Sequence, residues 1–164
     1  YILSIIILAI IFVSAFWLFK GIKIEIIIGR SVFLSVGLMI FLFMFFYPAT
    51  LKYQSGSEAG TWLKQNYPTA KPAVLNYIDA FSFDFYAPGE VKYLWNYDDL
   101  NKYKTTKDLV IYVSETELPK LKTTYNVKVL NSFEYFHISK LTPKFLNKNT
   151  RNQVLEHFYL VKVE

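Results

Sequence analysis

Ser31-Val-Phe-Leu-Ser-Val-Gly-Leu-Met-Ile-Phe-Leu-Phe-Met-Phe-Phe-Tyr47, with Pro48 behind it, is the stretch that decides the fold. It carries no charge, and Ile26, Ile27 and Ile28 extend it towards the N-terminus. Coiled as a helix at about 1.5 Å per residue, Ile26 to Tyr47 spans the roughly 30 Å hydrocarbon core of a bilayer. Pro48 is expected to end it. A second run, Tyr1 to Phe19, is broken only by Ser4 and Ser14. It would be about 28 Å long as a helix. Of the first 47 residues 36 are apolar, and the charges there are Lys20, Lys23, Glu25 and Arg30. Two consecutive runs of this length argue against a buried hairpin in a soluble core and for a transmembrane hairpin. The basic loop Lys20-Gly-Ile-Lys-Ile-Glu25 is then expected in the cytoplasm. Everything after Pro48 would face outward. Arg30 could snorkel to the interface along its aliphatic stem. No charge sits at either helix centre, so nothing supports an ion or proton pathway.

The remainder of the 164 residues reads differently. From Ala49 onward the chain carries 15 basic and 12 acidic residues, a net +3, too mild for a nucleic-acid footprint. The expected organisation is residues 1–48 as two transmembrane helices with a short cytoplasmic loop, and residues 49–164 as a small extracytoplasmic α/β domain. With no cysteine, disulfides, thiolate zinc sites and a cysteine nucleophile are excluded. The chain opens on Tyr1 with no basic segment ahead of the apolar run. That reads as a cut in or before a membrane helix rather than a signal peptide, so a longer polypeptide is expected.

In the second part, Ser55 with Glu58 forms the spacing of a capping box, and Ala59, Trp62 and Leu63 follow on one helical face. Pro68 is expected to stop that helix. Strands are expected at residues 73–77, 91–94 and 158–163. The continuous run Leu109-Val-Ile-Tyr-Val113 predicts a central strand covered on both faces. Asp98 is expected to cap one short helix, and Ser114 or Thr116 another with Leu118 and Leu121 inward. Val127 to Leu130 and Phe133 to Ile138 read as two strands joined by a turn at Asn131-Ser132. Residues 142–152 read as a polar connector. Strands alternating with short helices predict a layered α/β domain.

Known chemical motifs are absent: no GxGxxG, no GxxxxGK[ST], no HExxH and no GxSxG. His137 and His157 lack ligand spacing. Asp79 and Asp84, with Glu90 behind, could do acid–base work or hold a hard cation; turn and capping chemistry is the simpler account. Phe81, Phe83, Phe85, Tyr86, Tyr93, Trp95 and Tyr97 could stack a sugar or lie at a bilayer surface, or they form core and rim. Lys140, Lys144, Lys148 and Arg151 could meet phosphate headgroups; a solvated basic face is the simpler reading.

The order of these pieces carries a resemblance. An apolar hairpin ending at Pro48 is followed by Leu51-Lys-Tyr-Gln-Ser-Gly-Ser-Glu58-Ala and a Trp-bearing helix. Then come a strand, Phe81-Ser-Phe-Asp-Phe-Tyr86, and Leu141-Thr-Pro-Lys-Phe-Leu-Asn-Lys-Asn-Thr-Arg151. Over nearly its whole length the chain resembles the C-terminal end of bacterial GT-C type integral-membrane glycosyltransferases, most of all family 39, the protein mannosyltransferase and aminoarabinose transferase relatives. The resemblance implies transfer of a sugar from a polyprenyl-phosphate carrier to an acceptor at the outer face of the inner membrane. It places the catalytic acid in an N-terminal outer loop that this chain does not contain, so no catalytic residue is carried over. It implies no cofactor here, and a divalent metal only in a longer enzyme. The implied partners are the bilayer, the polyprenyl-phosphate-linked sugar and further membrane helices of the same chain, with no nucleic acid. Tyr53, Ser55, Ser57 and Glu58, at the start of a helix just outside the bilayer, are the candidate substrate-binding residues; plain capping is the simpler role. A membrane-tethered binding or sensor module without catalytic activity is the competing function.

Overall fold

The computed structural model describes residues 2–21, 23–76 and 80–163. Tyr1, Tyr77 and Asp79, each given a role above, lie outside the described residues. The chain divides into two units, Tyr1–Leu51 and Lys52–Glu164.

In the first unit α1 (Ile2–Leu18) and α2 (Ile24–Phe41) pack side by side. Gly37 allows the close approach: a Cβ there would lie 2.5 Å from Ile11 Cγ2. Arg30 is held at the end of α1. Its Nη2 donates to the Phe19 carbonyl, and its guanidinium lies 4.3 Å from the Phe16 ring. The cation meets the carbonyl end of α1, where the helix dipole is negative. Pro48 does not end α2 either. The helix continues through a π-helical turn, Leu42–Phe46, into α3 (Tyr47–Leu51). A proline ring clashes with the carbonyl four residues back and offers no N–H. Widening the preceding turn accommodates both problems, as π-bulges do. Thr50 then donates its hydroxyl to the Phe46 and Tyr47 carbonyls at 3.0 and 3.2 Å. The resulting 28-residue helix, Ile24–Leu51, is the one helix among the described residues long and apolar enough to cross a membrane.

The second unit is a small α/β head. A five-stranded mixed sheet runs in the order β2 (Lys92–Leu94), β1 (Lys71–Leu75), β3 (Leu109–Ser114), β5 (Glu156–Val163), β4 (Val127–Tyr135). The first three strands are mutually parallel, and β5 and β4 are antiparallel additions. The apolar run of β3 does sit at the centre: Leu109 through Val113 are buried on both faces. Val110 and Tyr112 join one core with α4 (Ser55–Asn66) and α5 (Phe81–Tyr86). Ile111 and Val113 join the other with α6 (Tyr97–Tyr103) and α7 (Leu118–Thr124). Right-handed crossovers explain the division, because the chain steps one way from β1 to β2 and back the other way to β3.

Several local expectations fail. Ser55 is the first helical residue, behind Gln54, and its hydroxyl does not cap. Asn96, not Asp98, caps α6, accepting from the Asp99 amide at 2.9 Å. Glu117 rather than Ser114 or Thr116 precedes α7, and those two hydroxyls bond each other at 2.9 Å. The two strands expected around Asn131-Ser132 are one strand, β4, with a bulge between Val129 and Asn131. Residues 142–152 are no plain connector. They contain α8 (Pro143–Leu146) and bury Phe145 and Arg151.

A Cβ at Gly60 would lie 2.9 Å from the Ala87 nitrogen and 3.0 Å from the Phe83 carbonyl oxygen. Alanine favours a helix over glycine by about 1 kcal/mol. Backbone atoms cannot yield as side-chain tips do, and overpacking costs about 1–3 kcal/mol. Gly60→Ala is therefore expected to destabilise the head by about 1 kcal/mol net, seen as a lower urea midpoint. A raised midpoint would mean that α4 and α5 separate freely.

Candidate functional site

An open concavity of the head lies between α4 and the edge strand β4. One lobe, about 600 Å³, is lined by Ser57, Glu58, Thr61, Trp62, Gln65, Tyr86, Asn131, Ser132 and Phe133. A second, about 380 Å³, shares Glu58, Ser132 and Phe133 and adds Lys52, Tyr53, Glu134 and His157. Helical spacing explains the first wall: Glu58, Thr61, Trp62 and Gln65 fall on one face of α4, while Ala59 and Leu63 point into the core. The bulge in β4 explains the second. It shifts the register so that Asn131 pairs with Leu160 directly after Val129 pairs with Val161. Such a bulge re-aims the side chains beyond it. Phe133 is buried as the floor and meets the half-buried Trp62 edge-on, their ring centroids 6.3 Å apart.

The groove is acidic and aromatic. Partial burial holds the Glu58 carboxyl above its usual pKa; repulsion from Glu134 adds to this, and Lys52 opposes it. The sign follows: Glu58 favours the folded head while protonated, and that contribution fades as pH rises through its folded value. Glu134→Gln is expected to bring the Glu58 midpoint down, followed by carbon-13 NMR of the carboxyl. An unchanged midpoint would mean that the two carboxylates do not sense each other.

Of the four residues anticipated at the helix start, Tyr53, Ser57 and Glu58 line the groove and Ser55 does not. Ser57 and Glu58 face the groove; Ser57 Oγ donates to the Gln54 carbonyl at 2.9 Å. Ser55 is fully buried, its hydroxyl 2.6 Å from that of Tyr112. Burial pushes the Tyr112 hydroxyl well above its usual range. Tyr53 is also buried. Its hydroxyl accepts from Arg151 Nη1 at 2.8 Å, and its carbonyl accepts the Phe136 amide at 3.0 Å. An anion at this helix start would face Glu58 and Glu134, which repel it.

Other candidates resolve into structure. Asp84 accepts a hydrogen bond from the Tyr93 hydroxyl and so ties α5 to β2. Burial and that bond push Tyr93 up to about 12. Beyond the C-terminal ends of β1 and β3, where open α/β sheets usually bind ligands, Glu117 gathers a bonded cluster. Glu117 accepts from Lys120 at 2.8 Å, Tyr97 at 3.0 Å and Asn76 at 3.4 Å. Arg151 is buried, so it belongs to no solvated basic face with Lys140, Lys144 and Lys148. Among the described residues no group of three or more His, Cys, Asp or Glu is placed to hold a metal ion.

Sequence reasoning missed Glu134 and the groove role of Trp62. Trp62 reads as core by spacing alone. Glu134 lies beyond the bulge and shares the groove with Glu58; the turn signal at Asn131-Ser132 marked the irregularity but read as a break between two strands. Comparison with known protein families, with characterised proteins and with solved structures finds no match. The groove itself therefore carries the functional argument.

Proposed function

We propose that the chain is the C-terminal portion of a membrane glycosyltransferase that uses a polyprenyl-phosphate-linked sugar, and that the groove between α4 and β4 holds a saccharide of the acceptor. The hairpin anchors it in a bacterial inner membrane, with the Lys20–Glu25 loop inside and the head outside. The observation that carries this reading is the groove's composition. Trp62 and Tyr86 offer aromatic faces for the C–H faces of a sugar. Glu58, Gln65, Asn131 and Ser132 offer donors and acceptors for its hydroxyls. The mild acidity suits a neutral or amino sugar and turns a phosphate away, so the carrier's phosphate is handled elsewhere in the longer enzyme. By itself the chain performs no transfer.

The same groove would serve a membrane-tethered saccharide-binding module, the second reading. One experiment separates them. The native polypeptide is purified into nanodiscs and given polyprenyl-phosphate sugars and an oligosaccharide acceptor. Sugar transfer that Trp62→Ala weakens roughly tenfold, through about 1.4 kcal/mol of lost acceptor binding, supports the transferase. Oligosaccharide binding without transfer supports the tethered module. Absence of oligosaccharide binding sinks both.

A further inference from the structure

We propose that α5 is a bilayer wedge: Phe81 and Phe85 insert into the headgroup–acyl boundary next to the point where the chain leaves the membrane. The proposal rests on the membrane reading above; α5 borders the groove through Tyr86, whereas Phe81 and Phe85 do not line it.

The helix Phe81-Ser-Phe-Asp-Phe-Tyr86 has a split character. Phe83 is fully buried, while Phe81 and Phe85 are 73% and 81% exposed. Four residues apart, they share one helix face. Phe85 contacts Tyr86, itself exposed, at 5.1 Å between centroids. Trp95, 62% exposed, stacks on Tyr93 at 6.1 Å, and Tyr93 is bonded to Asp84 of α5. The head thus exposes Phe81 and Phe85 on α5 and Trp95 beyond β2. Protruding single rings suit a fluid interface, which closes around each one, better than a rigid protein surface. Aromatic residues are also enriched at the boundary between membrane and water.

Chain length supplies the position. Between Arg30 and Lys52 lie only uncharged residues, Ser31 to Leu51. As a helix they measure about 31 Å, which matches the roughly 30 Å hydrocarbon core. Lys52 is therefore at headgroup level when that helix spans. Gly56 follows Leu51 by five residues, at most about 18 Å of extended chain. Within the head, Gly56 abuts the start of α5: a Cβ there would lie 2.3 Å from Ser82 Oγ and 3.1 Å from the Phe83 nitrogen. Phe81 adjoins Ser82 in the chain, so the first of these residues stands beside the first turn of α4, where the chain emerges.

The sequence has no cysteine, so one introduced cysteine carries one spin label. Phe85→Cys, Phe81→Cys, Thr105→Cys on α6's trailing turn and Met39→Cys in the apolar helix are labelled separately. Each is placed in nanodiscs of phosphatidylethanolamine and phosphatidylglycerol. Both phenylalanines are exposed, so neither replacement opens the core. Labels at 81 and 85 are expected to meet oxygen far more than an aqueous nickel chelate, reading about 5–10 Å below the phosphates. The label at 105 stays in water. Labels at 81 and 85 as open to nickel as that at 105 overturn the wedge. Shielding from both reagents also overturns it, because a protein then covers these residues. Met39 separates the causes. A lipid-exposed label at 39 beside aqueous labels on α5 refutes the wedge alone, whereas an aqueous label at 39 refutes the membrane reading as well.

Discussion

Phe83→Ala is expected to destabilise the head by about 3–5 kcal/mol, the usual cost of emptying a large buried aromatic site. The ring is fully buried at the junction of helix layer and sheet. It stacks on Tyr112 at 4.7 Å, and Tyr112 stacks in turn on Phe158 at 5.1 Å. Three elements, α5, β3 and β5, thus meet in one column of rings. The cavity cannot close easily. Alpha5 is already pressed against α4 at Gly56 and Gly60 and has no room to slide inward. Domains of this kind have about 5–15 kcal/mol to lose. At about 4–8 °C per kcal/mol, the melting temperature should fall by more than about 10 °C. Calorimetry or near-ultraviolet circular dichroism would show it. A drop of only a few degrees would mean that the column is not central to stability.

Arg151→Ala should have the second largest effect, about 3 kcal/mol, and a different character. Arg151 is 8% exposed. Its Nε donates to the Phe145 carbonyl and its Nη1 to the Tyr53 hydroxyl, both at 2.8 Å. The guanidinium also lies 5.1 Å from the Phe145 ring and 5.3 Å from the Tyr53 ring. A lysine is a point charge without the planar fork, so Arg151→Lys should recover little. The damage should be local. Tyr53, Phe136 and Phe145 form their own small cluster, apart from the two cores that clasp the sheet. Hydrogen exchange should therefore quicken at the Phe136 amide, which donates to the Tyr53 carbonyl, and stay slow at Ile111 in β3. Equal loss at both amides would show that the cluster is not a separate cooperative unit.

Arg151 also shows what the sequence could and could not reveal. Flanked by Asn147, Lys148, Asn149 and Asn152, it looks like part of a polar connector. Its burial depends on a tyrosine nearly a hundred residues earlier, and no local spacing encodes such a contact. Ser55 is alike. Ser-x-x-Glu is a sound capping pattern, but the hydroxyl bonds Tyr112 in the core. Long apolar runs were legible because burial on both faces leaves a strong mark, as in Leu109 to Val113. The π-helical turn before Pro48 was not, because proline announces only a difficulty and the neighbouring backbone decides how it is met. In the groove, Glu58 and Ser57 were visible as a helix start. Their acidic partner across the gap depends on one extra residue in a strand.

That extra residue does a second service. Beta4 is the outer strand on its side of the sheet, nine residues long, with no further strand beside it among the described residues. A long straight border of this kind exposes a row of unpaired amides and carbonyls on which another chain can assemble. The irregularity at Leu130 breaks that row midway, and Lys128 and Glu134 place charges on either side. Deleting Leu130 would restore an even ladder and with it a template for aggregation. The kink that shapes the cleft also interrupts a border on which further chains could pair.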